Sequence, residues 1–374
     1  KPRNAFYAQS GGVTAVINAS ACGVIETARK HKDRIGKVFA GRNGILGALQ
    51  EDLIDTSKES AAAIRALRHT PAGAFGSARY KLKKFEDQAA QYERLIEVFK
   101  AHDIGYFFYN GGGDSADTCL KVAQLASRID YPLQAIHVPK TVDNDLPLTD
   151  CCPGFGSVAK YVAVSIREAG FDVASMARTS TKVFILEVMG RHAGWIALYA
   201  GVAGGGDIIL IPEIPYTLDA VAAKIHFRRS CGKKFSIVVI AEGAKPKGGE
   251  AVIHKRIETS VDPVRLGGVG FVLGDELERL TGQEARCVVL GHLQRGGSPT
   301  PSDRVLATQL GAEAVRLIAR GEFGRMVAVR GGKISSVSLD EPAKGQRLVP
   351  LDHPLIAAAR AVGTSFGDEN AGGG

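Results

Sequence analysis

The chain has 374 residues, 45% of them hydrophobic, and its Lys and Arg residues outnumber Asp and Glu by 47 to 39, which gives a net charge of +8. This length exceeds the usual size of one domain, so we expect two lobes, and the positive charge suits anionic partners. Scattered positive charges and an aromatic content of 7% argue against nucleic-acid binding, and no apolar run approaches the ~20 residues that cross a bilayer.

The six cysteines form no CxxC pair and no ladder of spacings typical of a disulfide framework or a zinc site. The chain begins Lys1-Pro2-Arg3-Asn4, and no secretory apolar segment follows. We therefore predict reduced thiols and a cytoplasmic protein that does not associate with membranes.

Short apolar runs rich in Val, Ile and Phe alternate with amphipathic stretches of helical period, which is the pattern of βαβ units. It predicts the α/β fold class, with mainly parallel sheets in two Rossmann-like lobes. The predicted strands are 5–8, 38–40, 104–109, 134–138, 182–188, 208–211, 235–241, 286–290 and 326–329. Ligands of open parallel sheets gather at the carboxyl ends of strands, so the loops that follow these strands are the candidate site loops.

The first two candidate loops are rich in glycine. QSGGVT at 9–14 lies between a predicted strand and a helical stretch at 15–29, and its glycines let the backbone approach a phosphate at a helix N-terminus. YNGGGDS at 109–115 repeats this order and adds Asp114. That carboxylate is either a helix N-cap or a group that faces a phosphate through Mg²⁺ or a lysine.

The third loop, PKTVDND at 139–145, is the most informative segment of the chain. It presents Lys140, Thr141, Asp143 and Asp145, and an extended loop would place the two carboxylates on the same side. Phosphoryl transfer needs a positioned hydroxyl, a base and cations over the transferring group. The loop offers all three, whereas the alternative interpretation is a solvated acidic turn.

The fourth and fifth loops each carry an arginine after a predicted strand. MGRHAG at 189–194 contains Arg191, and GHLQRGGS at 291–298 contains Arg295. A guanidinium binds phosphate through two parallel hydrogen bonds and keeps its charge at any working pH. The two loops therefore predict an anionic substrate or a developing transition-state charge.

Taken together, these five loops in this order resemble the phosphofructokinase family, and the resemblance runs from about residue 5 to 321. It implies a phosphofructokinase-type fold and Mg²⁺-dependent phosphoryl transfer to the 1-hydroxyl of fructose 6-phosphate. By this resemblance Asp143 looks like the base, Thr141 holds the transferring phosphoryl group and Asp145 binds Mg²⁺. Arg191 would then stabilise the charged transition state.

The resemblance also implies contacts to the sugar phosphate at Lys182, Met189, Gly190, Glu242, Arg286, His292 and Arg295, together with Thr141, Asp143 and Arg191. Lys182 stands where the family has an arginine that reaches the sugar phosphate from a neighbouring subunit, so we expect a homodimer or higher homo-oligomer. Gly12 and Arg79 fall at donor-phosphate positions. Gly113 stands at the metal position usually held by an aspartate.

The donor is indicated by Asp114 and Lys140, because ATP users of the family have glycine at both positions. Charged side chains there would fill the space of the nucleotide α-phosphate and would pair with each other or with a terminal phosphate. The chain thus resembles the pyrophosphate-dependent branch, whose reaction is a reversible step of glycolysis and gluconeogenesis. The alternatives are an ATP-dependent 6-phosphofructokinase, a non-catalytic sugar-phosphate-sensing subunit, or a seven-carbon ketose phosphate as preferred acceptor.

For the domains, we expect residues 1–150 plus about 295–340 to form a lobe that binds pyrophosphate and Mg²⁺. Residues 151–294 are expected to form the sugar-phosphate lobe, and residues 341–374 a C-terminal extension that packs on the lobes. Asp143 is expected in the cleft between the lobes.

Overall fold

The computed structural model describes residues 1–256 and 264–369. The chain divides into two compact units, of which the first contains residues 1–157 and 298–347 and the second residues 158–297 and those from 348 onward. The chain therefore passes between the units after Ser157, after Gly297 and after Arg347.

Nearly all of the described helices and strands follow the predicted alternation. The strands are β1 (Arg3–Gln9), β2 (Ile35–Gly41), β3 (Leu53–Asp55), β4 (Ile104–Gly111), β5 (Gln134–Pro139), β6 (Val183–Val188), β7 (Ile208–Leu210), β8 (Ser236–Ala241), β9 (Ile253–Arg256), β10 (Val264–Leu266), β11 (Ala285–Val289), β12 (Arg325–Arg330) and β13 (Lys333–Ser338). The helices are α1 (Ile17–Ala28), α2 (Ile45–Leu49), α3 (Ala61–Ala66), α4 (Ala89–Ala101), α5 (Gly113–Arg128), α6 (Phe155–Met176), α7 (Trp195–Gly204), α8 (Leu218–Ser230), α9 (Val269–Thr281), α10 (Pro301–Ala319) and α11 (Pro354–Ala361).

The predicted strands are confirmed, each with shifts of no more than a few residues at its ends. The sequence pattern does not predict β3, β9, β10 or β13, which lie at sheet edges or in a separate two-stranded sheet. Such strands are short or only partly buried, so they lack the apolar run that identifies a central strand.

The first unit is built on a seven-stranded sheet of order β13-β12-β5-β4-β1-β2-β3. Its central strands pair in parallel, and only β3 and β13 run antiparallel to their neighbours. Successive residues of β1 alternate between two cores, since Phe6 and Ala8 pack on one face and Ala5 and Tyr7 on the other. Both faces are thus covered, as βαβ connections require.

The second unit is built on a four-stranded sheet of order β11-β6-β8-β7, with parallel pairing throughout. Strands β6 and β8 are fully buried, whereas the edge strand β11 is partly exposed. No helix among the described residues is both long and apolar enough to cross a lipid bilayer.

Candidate active site

Three of the predicted loops lie side by side at one edge of the first sheet. Strands β1, β4 and β5 are direct neighbours, and Gln9 pairs with Asn110 while Gly111 pairs with Pro139. Because these are the last residues of parallel strands, the loops that follow them leave the sheet at the same edge. The structure therefore brings the first, second and third loops together.

The first loop is held by the chain segment that contains Arg79. The amide of Gly11 donates to the carbonyl of Ala78 over 3.0 Å, and the hydroxyl of Ser77 donates to the carbonyl of Gly11 over 2.7 Å. Gly12 directly follows Gly11, and Arg79 directly follows Ala78. The two residues that are predicted to bind the donor phosphate therefore lie close together. Arg79 is exposed, and its charge is open to an anion.

Lys140 is buried beneath the first loop, with only 4% of its surface exposed. A Cβ added to Gly11, which has a φ of +75°, would lie 3.4 Å from the Lys140 Nζ. The positive charge also lowers the pKa of Asp145 and of the buried His137, although burial is the larger influence on both. Burial brings the pKa of His137 to about 3, so this imidazole stays neutral under Lys140.

Asp114 lies in the first turn of α5, where the N-cap position is occupied by Gly112, so it is not the N-cap of the helix. Its carboxylate forms an ion pair with Lys81, whose Nζ lies 2.6 Å from Oδ1. The hydrogen bond to Asp114 raises the pKa of Lys81. Lys81 is thus a cationic partner of Asp114 that the sequence interpretation did not name, and the pairing of Asp114 and Lys140 with each other or with a terminal phosphate stays a prediction.

The third loop is not extended, so that premise of the sequence interpretation is wrong. Asn144 has a φ of +57°, in the left-handed region, so the backbone between the two carboxylates is not extended. Burial and, after it, the charge of Asp143 raise the pKa of Asp145 to about 6. The Thr141 hydroxyl accepts the amide of Asp143 over 3.1 Å and is hydrogen-bonded to the Asp145 carboxylate.

This pair of carboxylates fits a divalent cation. Two negative charges held close together in a mostly buried position repel each other, and Mg²⁺ would relieve that repulsion. Gly113, the first residue of α5, has no side chain to add as a ligand. Within residues 1–256 and 264–369 no cluster of three or more metal-binding side chains occurs.

The second unit gathers its own set of loops at the carboxyl edge of β6, β8 and β11. The amide of Glu242 donates to the carbonyl of Val188 over 2.8 Å, which joins the loops after β8 and β6. A Cβ on Gly243 would lie 1.9 Å from the Arg191 carbonyl oxygen, so only glycine allows the two loops to approach this closely. The Gln294 side chain, in the fifth loop, accepts a hydrogen bond from the backbone amide of Met189 over 3.2 Å.

The other residues predicted at this edge lie in the loops that follow the same strands. Gly190 has a φ of +130° and lies beside Ala193 and Ala241, while His292 and Arg295 lie in the short helical turn at Gly291–Arg295 after β11. The Glu213 carboxylate accepts a hydrogen bond from the amide of Gly194 over 3.0 Å, which anchors the end of the loop that contains Arg191. Burial raises the pKa of Glu213.

Lys182 and Arg286 lie at the opposite edge of the same sheet. Lys182 directly precedes β6, and Arg286 is the second residue of β11. At about 3.3 Å per residue, the lengths of these strands place them on the order of 13–20 Å from the loops at the carboxyl edge. The ammonium of Lys182 donates to the carbonyl of Ala177, and Arg286 forms an ion pair of 2.5 Å with Glu284. One chain therefore does not bring Lys182 and Arg286 to the other residues that are predicted to bind the sugar phosphate.

The sequence motifs did not predict four residues that hold these loops, namely Lys81, Glu213, Gln294 and Arg347. The Arg347 guanidinium donates to the carbonyls of Asn144, Thr149 and Asp150, within and just after the third loop. Lys81, Glu213 and Arg347 lie outside the strand-loop motifs. Gln294 lies within the fifth loop, but it binds the backbone of the fourth loop. Lys81 lies two residues after Arg79 in a lysine-rich stretch, which is only a weak indication of a role near the donor. The sequence around the other three residues gives no indication of their role.

The chain is similar to known proteins in both sequence and structure. The phosphofructokinase family model matches residues 4–318. The chain is 55% identical to a pyrophosphate–fructose 6-phosphate 1-phosphotransferase of Methylococcus capsulatus over 94% of this chain and 86% of that protein. It is 39% identical to an ATP-dependent 6-phosphofructokinase of Chloroflexus aggregans over 96% of each chain.

Among solved structures, the pyrophosphate-dependent phosphofructokinase of Nitrosospira multiformis matches with a TM-score of 0.83 and 51% identity. The match covers 94% of this chain and 86% of that one. Together with the loops at the two sheet edges, these similarities show that the chain belongs to the phosphofructokinase family.

Proposed function

We propose that this chain transfers a phosphoryl group reversibly between inorganic pyrophosphate and the 1-hydroxyl of fructose 6-phosphate. The forward products are fructose 1,6-bisphosphate and phosphate, as in glycolysis, and the reverse reaction would serve gluconeogenesis. Relatives and a solved structure with 51–55% identity carry pyrophosphate-dependent names, which supports this donor for the present chain.

The observation that carries the choice of donor is the position of Lys140. Its buried ammonium lies beneath Gly11 of the first loop, and Asp114 stands with Lys81 at the start of α5. These side chains occupy space beside the donor loops and place positive charge where the terminal oxygens of a small anion would lie. A nucleotide would have to displace a buried lysine, whereas pyrophosphate is compact enough to bind beside it.

The chemistry of the transfer would lie in the third loop. Asp143 is proposed to accept the proton of the sugar hydroxyl, and Thr141 to hold the transferring phosphoryl group. Asp145 would hold Mg²⁺, which, when bound, neutralises charge on the phosphate oxygens. Gly12 and Arg79 would bind the donor phosphate from the first loop and its neighbouring segment.

The second unit would bind the sugar phosphate. Arg191 is proposed to stabilise transition-state charge, and Met189, Gly190, Glu242, His292 and Arg295 to bind the sugar phosphate at the carboxyl edge of the sheet. Lys182 and Arg286 lie at the other edge, so they would serve the site of a second copy of the chain. We therefore propose a homodimer or a higher homo-oligomer.

An ATP-dependent reaction remains the specific competitor, because a relative with 39% identity carries an ATP-dependent name. The test is formation of fructose 1,6-bisphosphate from fructose 6-phosphate and Mg²⁺ with pyrophosphate or ATP as donor. We expect turnover with pyrophosphate and little with ATP, and turnover with ATP alone would overturn the donor assignment. Absence of turnover with either donor, combined with binding of fructose 6-phosphate, would favour a sugar-phosphate-sensing subunit.

A further inference from the structure

The side chain of Arg347 binds the loop that carries the proposed base. Its guanidinium donates to the carbonyls of Asn144 over 3.2 Å, Thr149 over 2.9 Å and Asp150 over 2.7 Å. Its backbone amide donates to the carbonyl of Asp145 over 2.7 Å. A single residue near the C-terminal end of the first unit thus binds both ends of the turn that follows Asp143.

The backbone of residues 140–150, which we name the transfer loop, needs such a restraint. Asn144 and Leu148 have φ values of +57° and +62°, in the left-handed region that residues with a side chain rarely adopt. For leucine this conformation is particularly uncommon, and it persists only where the surroundings impose it. The Arg347 guanidinium contacts the loop on either side of Leu148, at Asn144 and at Thr149.

The turn held by Arg347 sets the relation between the reactive groups. The left-handed Asn144 is the single residue between Asp143 and Asp145, so its backbone conformation sets the relative direction of the two neighbouring residues. The side chain of Asn144 also accepts the amide of Cys152 over 2.9 Å, which anchors the turn from the other side. Relaxation of this turn would change the direction in which the Asp143 and Asp145 side chains leave the backbone relative to each other.

We propose that Arg347 is a positioning residue for phosphoryl transfer, which holds the transfer loop in the conformation that aligns Asp143 and Asp145. This inference rests on the proposed function. A planar guanidinium reaches carbonyls on two sides of the turn at once, whereas a lysine ammonium is a compact point charge on a flexible stem. The shape of the group matters here more than its charge.

Arg29 provides a matched control in the same unit. Its guanidinium donates to the backbone carbonyls of Thr56 over 2.7 Å and Glu59 over 2.9 Å, and it forms an ion pair with Glu26. It lies at the C-terminal end of α1, whereas the first loop precedes the start of that helix. Loss of Arg29 should therefore cost similar hydrogen bonds without disturbing the transfer loop.

The experiment compares Arg347→Lys and Arg347→Met with Arg29→Lys and Arg29→Met in the full chain. Steady-state kinetics are measured with fructose 6-phosphate, Mg²⁺ and whichever of pyrophosphate or ATP the wild type uses. Amide hydrogen exchange is measured at Asp143 and Cys152, and thermal unfolding is recorded for each variant. If Arg347→Met does not fold, Arg347→Lys alone decides the outcome.

We expect both Arg347 variants to lose about 10- to 100-fold in kcat, since a small displacement of a reacting group costs rates of this order. The KM for fructose 6-phosphate should change less than threefold, and exchange at Asp143 and Cys152 should accelerate. The Arg29 variants should keep wild-type kcat and exchange. Equal kcat in the Arg347 and Arg29 variants, or unchanged exchange at Asp143, would overturn the positioning role.

The proposed function fails by a different result, namely a wild type that uses ATP and not pyrophosphate. The positioning role is still decided in that case, because kcat is then measured with ATP and the exchange measurement needs no donor.

Discussion

In both units the candidate loops lie at the carboxyl ends of parallel strands. The units differ in whether one chain brings together all the residues of the predicted binding site. In the first unit, neighbouring strands β5, β4 and β1 place the predicted donor and base residues at one edge. In the second unit, the loops after β6, β8 and β11 meet at one edge, but Lys182 and Arg286 lie at the other end of β6 and β11.

This difference follows from the geometry of parallel strands. Residues at the two ends of one strand cannot contact the same small molecule, because the strand holds them apart by its own length. The predicted donor set is therefore complete within one chain, whereas the predicted sugar-phosphate set is complete only if a second copy contributes. Substitutions in the two units test this contrast.

The largest effect is expected for Asp143→Asn in the first unit. Loss of the proposed base should lower kcat by about 10² to 10⁴-fold, because proton transfer from the sugar hydroxyl loses its acceptor. The KM for fructose 6-phosphate should stay within about threefold, since sugar-phosphate binding is assigned to the second unit. Asp130→Asn, at an exposed left-handed position of the same unit, is the control. Normal turnover in Asp143→Asn would contradict the assigned role.

A smaller effect is expected for Arg286→Ala at the opposite edge of the second sheet. Loss of a charged contact to the sugar phosphate should raise KM by about 10- to 100-fold and leave kcat within severalfold. The measurement is saturation kinetics with fructose 6-phosphate.

Sharing between copies can be tested by mixing Asp143→Asn and Arg286→Ala chains. In a mixed dimer, one of the two sites has both Asp143 and Arg286 intact. About half of the dimers in a random equal mixture are mixed, so the mixture should recover about a quarter of wild-type turnover at low substrate. Asp130→Asn mixed with Asp143→Asn gives the baseline for simple dilution. Recovery no greater than the sum of the separate variants would refute a shared site.

The sequence predicts well what depends on local pattern and poorly what depends on distant contacts. The buried strands and the loops after them follow from apolar runs and glycines, and the structure places the first three loops together as expected. The left-handed conformation of Asn144 could not be predicted, because the Arg347 side chain that binds its carbonyl lies 203 positions away. The partner of Asp114 was missed for the same reason, since Lys81 reaches it from another segment.

A moderate effect on stability is expected for Asp145→Asn in the absence of Mg²⁺ and phosphate. Burial and the charge of Asp143 raise the pKa of Asp145 from 3.8 to about 6. Between pH 3.8 and about pH 6 the folded chain binds more protons at Asp145 than the unfolded chain, so the free energy of unfolding falls as the pH rises. Above pH 6 the full cost of the ionised carboxylate is present.

Asparagine removes this charge, so Asp145→Asn should be more stable than wild type by about 1–3 kcal/mol at pH 7.5. The difference should narrow as the pH is lowered to 5, because the wild-type carboxyl then becomes protonated in the folded state. Chemical unfolding at the two pH values measures the difference. A difference that does not depend on pH would mean that Asp145 is not destabilised by its surroundings.

The smallest effect is expected for the ion pair of Lys81 and Asp114, whose side chains are 45% and 68% exposed. An exposed pair contributes only about 0.2–1 kcal/mol to stability, so Lys81→Met, Asp114→Asn and the double variant should differ little in thermal unfolding. Binding of pyrophosphate is the sharper measure, because Asp114→Asn removes a negative charge near the donor while Lys81→Met removes the cation that compensates it. We expect Lys81→Met to weaken pyrophosphate binding severalfold and the double variant to recover most of that loss. Additive effects on the dissociation constant would show that the two side chains act on the donor independently, and the loops of the first unit would then be less tightly coupled than their ion pair indicates.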